Sequence, residues 1–137
     1  MVEPAEEMWL RNVSELVSQD FIEAVIRVTP RSRVRSGLER SLRLQAGASA
    51  REASALLGSG DEVTAYYTVP FCVWCAASHL DDFESALWTT VSGLGDRDTT
   101  CAIVGGIVGG RVGLEAIPKT RFAAREPLPF WVYALGS

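Results

Sequence analysis

Apolar residues recur three and four positions apart along much of the chain, which is the spacing of one face of an α-helix. Residues 6–17 and 21–28 carry this spacing on either side of Asp20, a residue type that caps helices, and so predict two helices. Pro30 suits a first helical turn and predicts that a third helix begins there and continues to Leu44. No segment alternates between apolar and polar residues over the length of a strand. The pattern therefore predicts an all-α fold.

Short local signals mark where the next helices begin and end. Ser49 and Glu52 have the spacing of a capping box, in which each side chain bonds to the backbone of the other residue. Gly58 and Gly93 are of the residue type that most often follows a last helical turn. The predicted helix starts are Ser49, Pro70, and Asp81 or Asp82, and the predicted ends are Gly58 and Gly93.

A glycine-rich apolar segment follows at residues 99–113. Gly105, Gly109 and Gly113 stand four positions apart, so on a helix they line one face with almost no side chain. Each glycine inside a helix costs up to about 1 kcal/mol relative to alanine, and close packing of a neighbouring backbone is the expected compensation. We therefore predict a compact bundle of about six helices around this glycine-rich central helix.

Composition and charge narrow the class of protein. With 137 residues, of which 47% are apolar, the chain can bury the core of one domain over residues 1–137. Pro127 and Pro129 predict that residues 119–137 form an irregular tail that wraps the outside. The net charge of -4 gives no general attraction to nucleic acid or to an anionic membrane. No signal peptide or bilayer-spanning run is present, so we expect a cytoplasmic protein.

The candidate chemistry lies in a turn just before the glycine-rich segment. Asp96 and Asp98 stand two positions apart and Thr99 follows them, which places two carboxylates and a hydroxyl on one short loop. Oxygen donors of this kind suit Mg²⁺. A single aspartate at Asp98 would indicate a helix N-cap rather than a ligand. A second carboxylate at Asp96 adds no further cap, and it repels the carboxylate of Asp98 unless a cation lies between the two. We therefore favour a metal site.

Two ordered pairs of segments resemble the ADP-ribosylglycohydrolase family. One pair is GDRDT at residues 95–99 and IP at residues 117–118, on either side of the glycine-rich helix. The other pair is LGSG at residues 57–60 and TVP at residues 68–70. The resemblance covers about residues 56–118 and implies an all-helical enzyme that uses a pair of Mg²⁺ ions, or in some members Mn²⁺. Such enzymes cleave the glycosidic bond that joins ADP-ribose to a protein side chain or a small acceptor.

The resemblance also implies a role for each matched residue. By this correspondence the metal ligands are Asp96, Asp98 and Thr99, and the loop that contacts ADP-ribose is Gly58, Ser59 and Gly60. The family's other ligands come from an N-terminal glycine-aspartate motif and a Thr-Asp-Asp type cluster. Neither occurs in this sequence, so no catalytic residue is assigned. We expect the chain to resemble the C-terminal half of the family domain and to supply half of a binuclear magnesium site.

The same correspondence implies partners for the chain. Its substrate would be an ADP-ribosylated protein or a small-molecule ADP-ribose conjugate, cleaved at an N- or O-glycosidic bond. A half domain leaves an apolar helix face exposed, so we expect a complementary N-terminal half-domain or self-association to cover it. The alternative function is that of a catalytically dead or truncated module that binds ADP-ribose or another protein.

Three other groups of residues suggest chemistry of their own. A zinc site could in principle form from Cys72, Cys75, Cys101 and His79. The apolar neighbours of the cysteines favour buried thiols instead. The helix end near His79 favours a contact between the histidine cation and the helix dipole. The pair Asp81 and Asp82 should lie at the other end of a helix from Asp96. Six arginines between residues 27 and 43 have no aromatic residue between them, which favours a solvated helix face over a nucleic-acid site.

Overall fold

The computed structural model describes residues 4–45, 47–60, 64–127 and 129–131, and the regular elements within them are helical. Within these described ranges seven α-helices follow one another: α1 (Pro4–Val28), α2 (Arg33–Ser41), α3 (Ala50–Leu57), α4 (Val69–Ser78), α5 (Phe83–Ser92), α6 (Arg97–Val112) and α7 (Lys119–Ala123). Single 3-10 turns lie at Ala65–Tyr67 and Leu114–Ala116. The described ranges contain no strand, which confirms the all-α fold, and none of their helices is long and apolar enough to cross a membrane.

The N-terminal region is one 25-residue helix, so the prediction of two helices is wrong. Asp20, expected to begin the second helix, is an exposed residue inside α1. Aspartate is only a weak helix breaker, and no glycine or proline follows Pro4 within α1 to interrupt the backbone hydrogen bonds. Ile22 and Ile26, toward the end of α1, are buried in the core.

Helix α2 begins at Arg33 rather than at Pro30, and it ends at Ser41 rather than at Leu44. Its N-cap is Ser32, whose hydroxyl oxygen accepts a hydrogen bond of 3.2 Å from the Arg35 amide. A serine at this position satisfies one of the free amides of the first turn, which proline has no group to do. The cap therefore decides where the helix starts.

The capping signals in the middle of the chain are confirmed. The Ser49 hydroxyl accepts a 3.2 Å bond from the Glu52 amide, and the Glu52 carboxylate accepts a 2.6 Å bond from the Ser49 amide. Hydrogen bonds to the Glu52 carboxylate from the Ser49 amide and the Ser49 side chain hold the pKa of Glu52 below its usual value. The other confirmed boundaries are Pro70 in the first turn of α4, Asp82 at the N-cap of α5, and Gly58 and Gly93 after the last turns of α3 and α5.

The centre of the bundle is α4, which packs against α1, α2, α3, α5 and α6. Its buried residues are Pro70, Phe71, Cys72, Val73, Cys75, Ala76 and Ala77. The glycine-rich α6 buries only Thr100, Val104 and Val108 and leaves its opposite face in solvent. The compact helical bundle is thus confirmed, but its predicted central helix is not the central one.

The glycines of α6 do not face another backbone as predicted. A Cβ atom added at Gly105 or Gly109 would meet the side chains of α5, with the ring of Phe83 at 3.9 and 3.6 Å respectively. Gly113 lies after the last turn of α6, where its φ of +78° suits glycine. These are ordinary van der Waals distances, so the glycine stripe faces side chains rather than a close backbone.

The C-terminal segment was predicted to be irregular, but its described part contains the short helix α7. Arg121 on this helix donates two hydrogen bonds, of 2.7 and 2.9 Å, to the two carboxylate oxygens of Glu84 on α5. Residues 119–127 are all exposed, so this segment lies on the outside of the bundle.

We predict that Gly93→Ala lowers the free energy of unfolding by about 1–3 kcal/mol, because a Cβ atom there would overlap the ring of Phe71. Phe71 is fully buried in the core, so its ring has no free space to move into. Urea unfolding followed by circular dichroism measures the change.

Gly106→Ala is the matched control. No atom lies near the position that its Cβ would take, so alanine should raise the free energy of unfolding by about 0.5–1 kcal/mol through its higher helix propensity. Equal stability of the Gly93 variant and the wild type would contradict the packing of Phe71 beneath this turn.

Candidate functional site

Two loops that are distant in sequence meet at one end of α6. The first, here called the 58–60 loop, consists of Gly58, Ser59 and Gly60 after α3, and the second, the acidic turn, consists of residues 95–99 before and within the first turn of α6. The Asp96 amide donates a 3.1 Å hydrogen bond to the Ser59 carbonyl. The structure therefore brings together one segment from each of the two pairs on which the family resemblance rests.

Glycine is required where the two loops touch. Gly95 has a φ of +70°, and a Cβ atom there would overlap both the backbone and the side chain of Ser59. Gly60 has a φ of +84°, and a Cβ atom there would lie 3.1 Å from the Cβ of Asp96. Both positions combine a left-handed backbone with close contact, which only glycine tolerates without strain.

The residue before this contact is strained. Leu94 is the one non-glycine residue with a positive φ, +63°, among the residues that the structure describes. A left-handed conformation costs leucine on the order of 1–2 kcal/mol, and residues of this kind cluster at functional sites. Leu94 is also 45% exposed, so burial of its side chain does not account for the strained conformation.

The cap of α6 is Asp96 rather than Asp98. Helix α6 begins at Arg97, and the Asp96 Oδ1 atom accepts a 3.3 Å hydrogen bond from the Thr99 amide. Asp98 lies in the first helical turn with an exposed side chain. The argument that a carboxylate at Asp96 adds nothing to capping is therefore wrong, because the helix starts two residues earlier than that argument assumed.

Thr100 fixes the conformation of the acidic turn. Its side chain is fully buried, and its hydroxyl donates a 3.0 Å hydrogen bond to the Asp96 carbonyl. The Cys72 thiol of α4 in turn donates to the Thr100 carbonyl at 3.8 Å. The sequence signals only that Thr100 opens a helix, since its burial and its contact with α4 depend on the tertiary fold.

The exposed oxygens of the acidic turn fit one side of a magnesium site. Asp96, Asp98 and Thr99 are all exposed at the N-terminal end of α6, and carboxylate and hydroxyl oxygens are donors that Mg²⁺ accepts. The described residues contain no group of three or more aspartate, glutamate, histidine or cysteine side chains that could hold a metal ion. The turn therefore offers oxygen donors of the kind that Mg²⁺ binds, but too few of them to complete its coordination.

Cys72 and Cys75 are buried thiols, as their apolar neighbours predicted, whereas Cys101 is only partly buried. Burial raises the pKa of both Cys72 and Cys75 to about 12, so these thiols stay protonated at neutral pH. His79 lies 2.8 Å from the Thr89 hydroxyl through its Nε2 atom. His79 lies at the C-cap of α4, and burial lowers the pKa of its ring, which disfavours the cation that the predicted contact with the helix dipole requires.

The acidic pair between α4 and α5 lies far from the acidic turn, as predicted. Asp81 accepts a 3.0 Å hydrogen bond from Arg111, near the C-terminal end of α6. With a rise of about 1.5 Å per residue, Arg111 is about 21 Å along the helix from Arg97. Asp82 serves as the N-cap of α5.

A cavity lies on another part of the molecule. Its volume is about 890 Å³, and its walls come from α1, from the ends of α2 and α4, and from α5. Trp74, His79, Trp88 and Thr89 are among its lining residues. Neither the 58–60 loop nor the acidic turn lines this cavity, so cavity volume alone does not identify the candidate site.

We predict that Gly95→Ala destabilises the protein by about 2–4 kcal/mol, because it adds a clash with Ser59 to the strain of a left-handed alanine. Thermal unfolding measures the effect. The matched control is Gly47→Ala, where φ is +83° but no atom lies near the added Cβ, so only about 1–2 kcal/mol should be lost. Equal losses in the two variants would contradict the contact between the loops.

Comparison with known proteins extends the resemblance to most of the chain. The family model described as ADP-ribosylglycohydrolase matches residues 5–134. This range includes the arginine-rich helices before the 58–60 loop, which the motifs alone did not cover. No curated protein and no solved structure matches the chain significantly. Because the family model matches nearly its whole length, the chain belongs to the ADP-ribosylglycohydrolase family.

Proposed function

We propose that this chain supplies one wall of a binuclear Mg²⁺ site at which the N- or O-glycosidic bond of an ADP-ribose conjugate is hydrolysed. Family membership supports a function of the ADP-ribosylglycohydrolase type in general. The observation that carries the more specific proposal is the 3.1 Å hydrogen bond from the Asp96 amide to the Ser59 carbonyl. It puts the carboxylates of the acidic turn beside the loop assigned to ADP-ribose.

In this proposal Asp96, Asp98 and Thr99 hold the metal. The N-terminal end of α6 stabilises anionic carboxylates through the helix dipole, and a cation between the two aspartates removes their mutual repulsion. Bound Mg²⁺ supplies Lewis-acid polarisation of oxygen atoms and orientation of a water molecule. Mn²⁺, which some members of the family use, would supply the same chemistry at this site.

The 58–60 loop holds the substrate in this proposal. Gly58 lies against Tyr67 and Gly60 lies against Asp96, so these two neighbours fix the position of the loop. Ser59 is 3% exposed, and its carbonyl is already committed to Asp96. The loop therefore keeps a fixed position relative to the acidic turn, and this fixed position favours a reactive orientation of the sugar.

The remaining metal ligands would come from a complementary segment or from a second copy of the chain. Val13, Leu16 and Val17 on α1 are exposed at a spacing that puts them on one helix face. An exposed apolar face of this kind supports contact with such a partner. The substrate is an ADP-ribosylated protein or a small-molecule ADP-ribose conjugate.

We predict that ADP-ribose binds in the presence of Mg²⁺ and that Asp96→Asn or Asp98→Asn weakens this binding about tenfold or more, which is about 1.4 kcal/mol or more. Asparagine removes the ligand charge but caps a helix as well as aspartate does, so α6 should stay folded. Isothermal titration calorimetry with and without EDTA measures the effect.

Asp81→Asn is the matched control, because Asp81 is exposed and contacts the far end of α6. If both acidic-turn variants bound ADP-ribose with wild-type affinity in the presence of Mg²⁺, the proposed metal binding by Asp96 and Asp98 would be contradicted. Mg²⁺-dependent binding without release of ADP-ribose from a modified protein, even when the chain is mixed with a candidate partner segment, would favour the non-catalytic binding module.

A further inference from the structure

A cationic and aromatic patch borders the 58–60 loop. It consists of Arg33 at the start of α2 and of Tyr66 and Tyr67 in the 3-10 turn before α4. The Arg33 Cζ atom lies 4.7 Å from the centroid of the Tyr66 ring, and the two tyrosine rings have their centroids 4.7 Å apart. The arginine-rich segment contains no aromatic residue in sequence, but the fold brings one to it.

Tyr67 joins this patch to the 58–60 loop. Its carbonyl accepts a 2.9 Å hydrogen bond from the Gly60 amide. Its ring lies against Gly58, where a Cβ atom would come within 2.8 Å of the ring Cδ1 atom. The position of the tyrosine pair is therefore set by the same loop that contacts Asp96.

Among the described residues, Arg33 has no anionic partner for its side chain. Its side chain is exposed and makes no ion pair or side-chain hydrogen bond with the residues that the structure describes. Its neighbour Arg35, by contrast, is bonded to Glu39 at 3.2 Å and to the Thr29 carbonyl at 3.1 Å. A guanidinium placed over an aromatic ring keeps N–H donors at its edge, where they can bind phosphate oxygens.

We propose that Arg33, Tyr66 and Tyr67 form a subsite for the adenosine diphosphate end of ADP-ribose. This inference rests on the proposed function and adds to it the residues that receive the nucleotide. The diphosphate is repelled by the carboxylates of the acidic turn and by the net charge of -4, and Arg33 provides the local cation that offsets this repulsion. The ring of Tyr67, 38% exposed, offers an aromatic face for the base.

The arrangement favours a nucleotide over an acidic segment of the modified protein. An acidic peptide needs cations but gains little from aromatic faces, whereas a nucleoside diphosphate uses both. The order along the site is then the ribose at the acidic turn, the diphosphate at Arg33 and the adenine at the tyrosines.

The test is calorimetric binding of ADP in the presence of EDTA, which removes the contribution of the metal wall. We expect the wild-type chain to bind ADP and Arg33→Gln to weaken that binding about tenfold, with ribose 5-phosphate affinity much less affected. Tyr67→Phe should retain binding because it keeps the ring. Arg43→Gln is the matched control, since Arg43 is also an exposed arginine but lies beyond the other end of α2. Thermal unfolding checks that each variant is folded.

Equal ADP affinity in Arg33→Gln and the wild type would overturn the proposal, as would the absence of ADP binding in the wild type. The proposal would also be overturned if Arg33→Gln slowed the release of ADP-ribose from a modified protein but left ADP binding unchanged. Arg33 would then contact the protein part of the substrate. A failure of the proposed metal site gives a different result. Asp96→Asn would then leave Mg²⁺-dependent ADP-ribose binding intact, while ADP binding in EDTA would still depend on Arg33.

Discussion

The hydrogen bond between the Asp96 amide and the Ser59 carbonyl is the contact on which the candidate site depends. It forms only because Gly95 has no side chain and adopts a left-handed backbone beside Ser59. Loss of this contact would separate the carboxylates of the acidic turn from the 58–60 loop. One backbone contact thus links the conformation of two glycines to the chemistry that the family membership implies.

The central helix α4 holds both sides of this contact in place. Phe71 fills the space under Gly93, just before the acidic turn, and Cys72 donates to the carbonyl of Thr100 inside the first turn of α6. The 3-10 turn that precedes α4 holds the 58–60 loop through Tyr67. The packing of the core therefore sets the geometry of the exposed residues of the acidic turn.

The sequence predicts those features that depend on neighbouring residues. The capping box of Ser49 and Glu52 and the cap at Asp82 follow from short-range patterns. The site residues were assigned from short motifs that resemble the family, and their roles stay a prediction. The glycine pattern of α6 shows which face of that helix is small, but not that the side chain of Phe83 lies against this face. The central position in the bundle was therefore wrongly predicted for α6. The contact of Arg33 with Tyr66 and the burial of Thr100 arise from elements distant in sequence, which no local pattern reveals.

Native-state hydrogen exchange at the Asp96 amide is the most direct test that the two loops form one unit. Opening of that amide requires the contact with Ser59 to break, so its opening free energy should match that of the Gly60 amide, which bonds to Tyr67. The account predicts protection of both amides and a joint loss of protection in Gly95→Ala. Exchange of the Asp96 amide at the rate of an unstructured peptide, with Gly60 still protected, would contradict it.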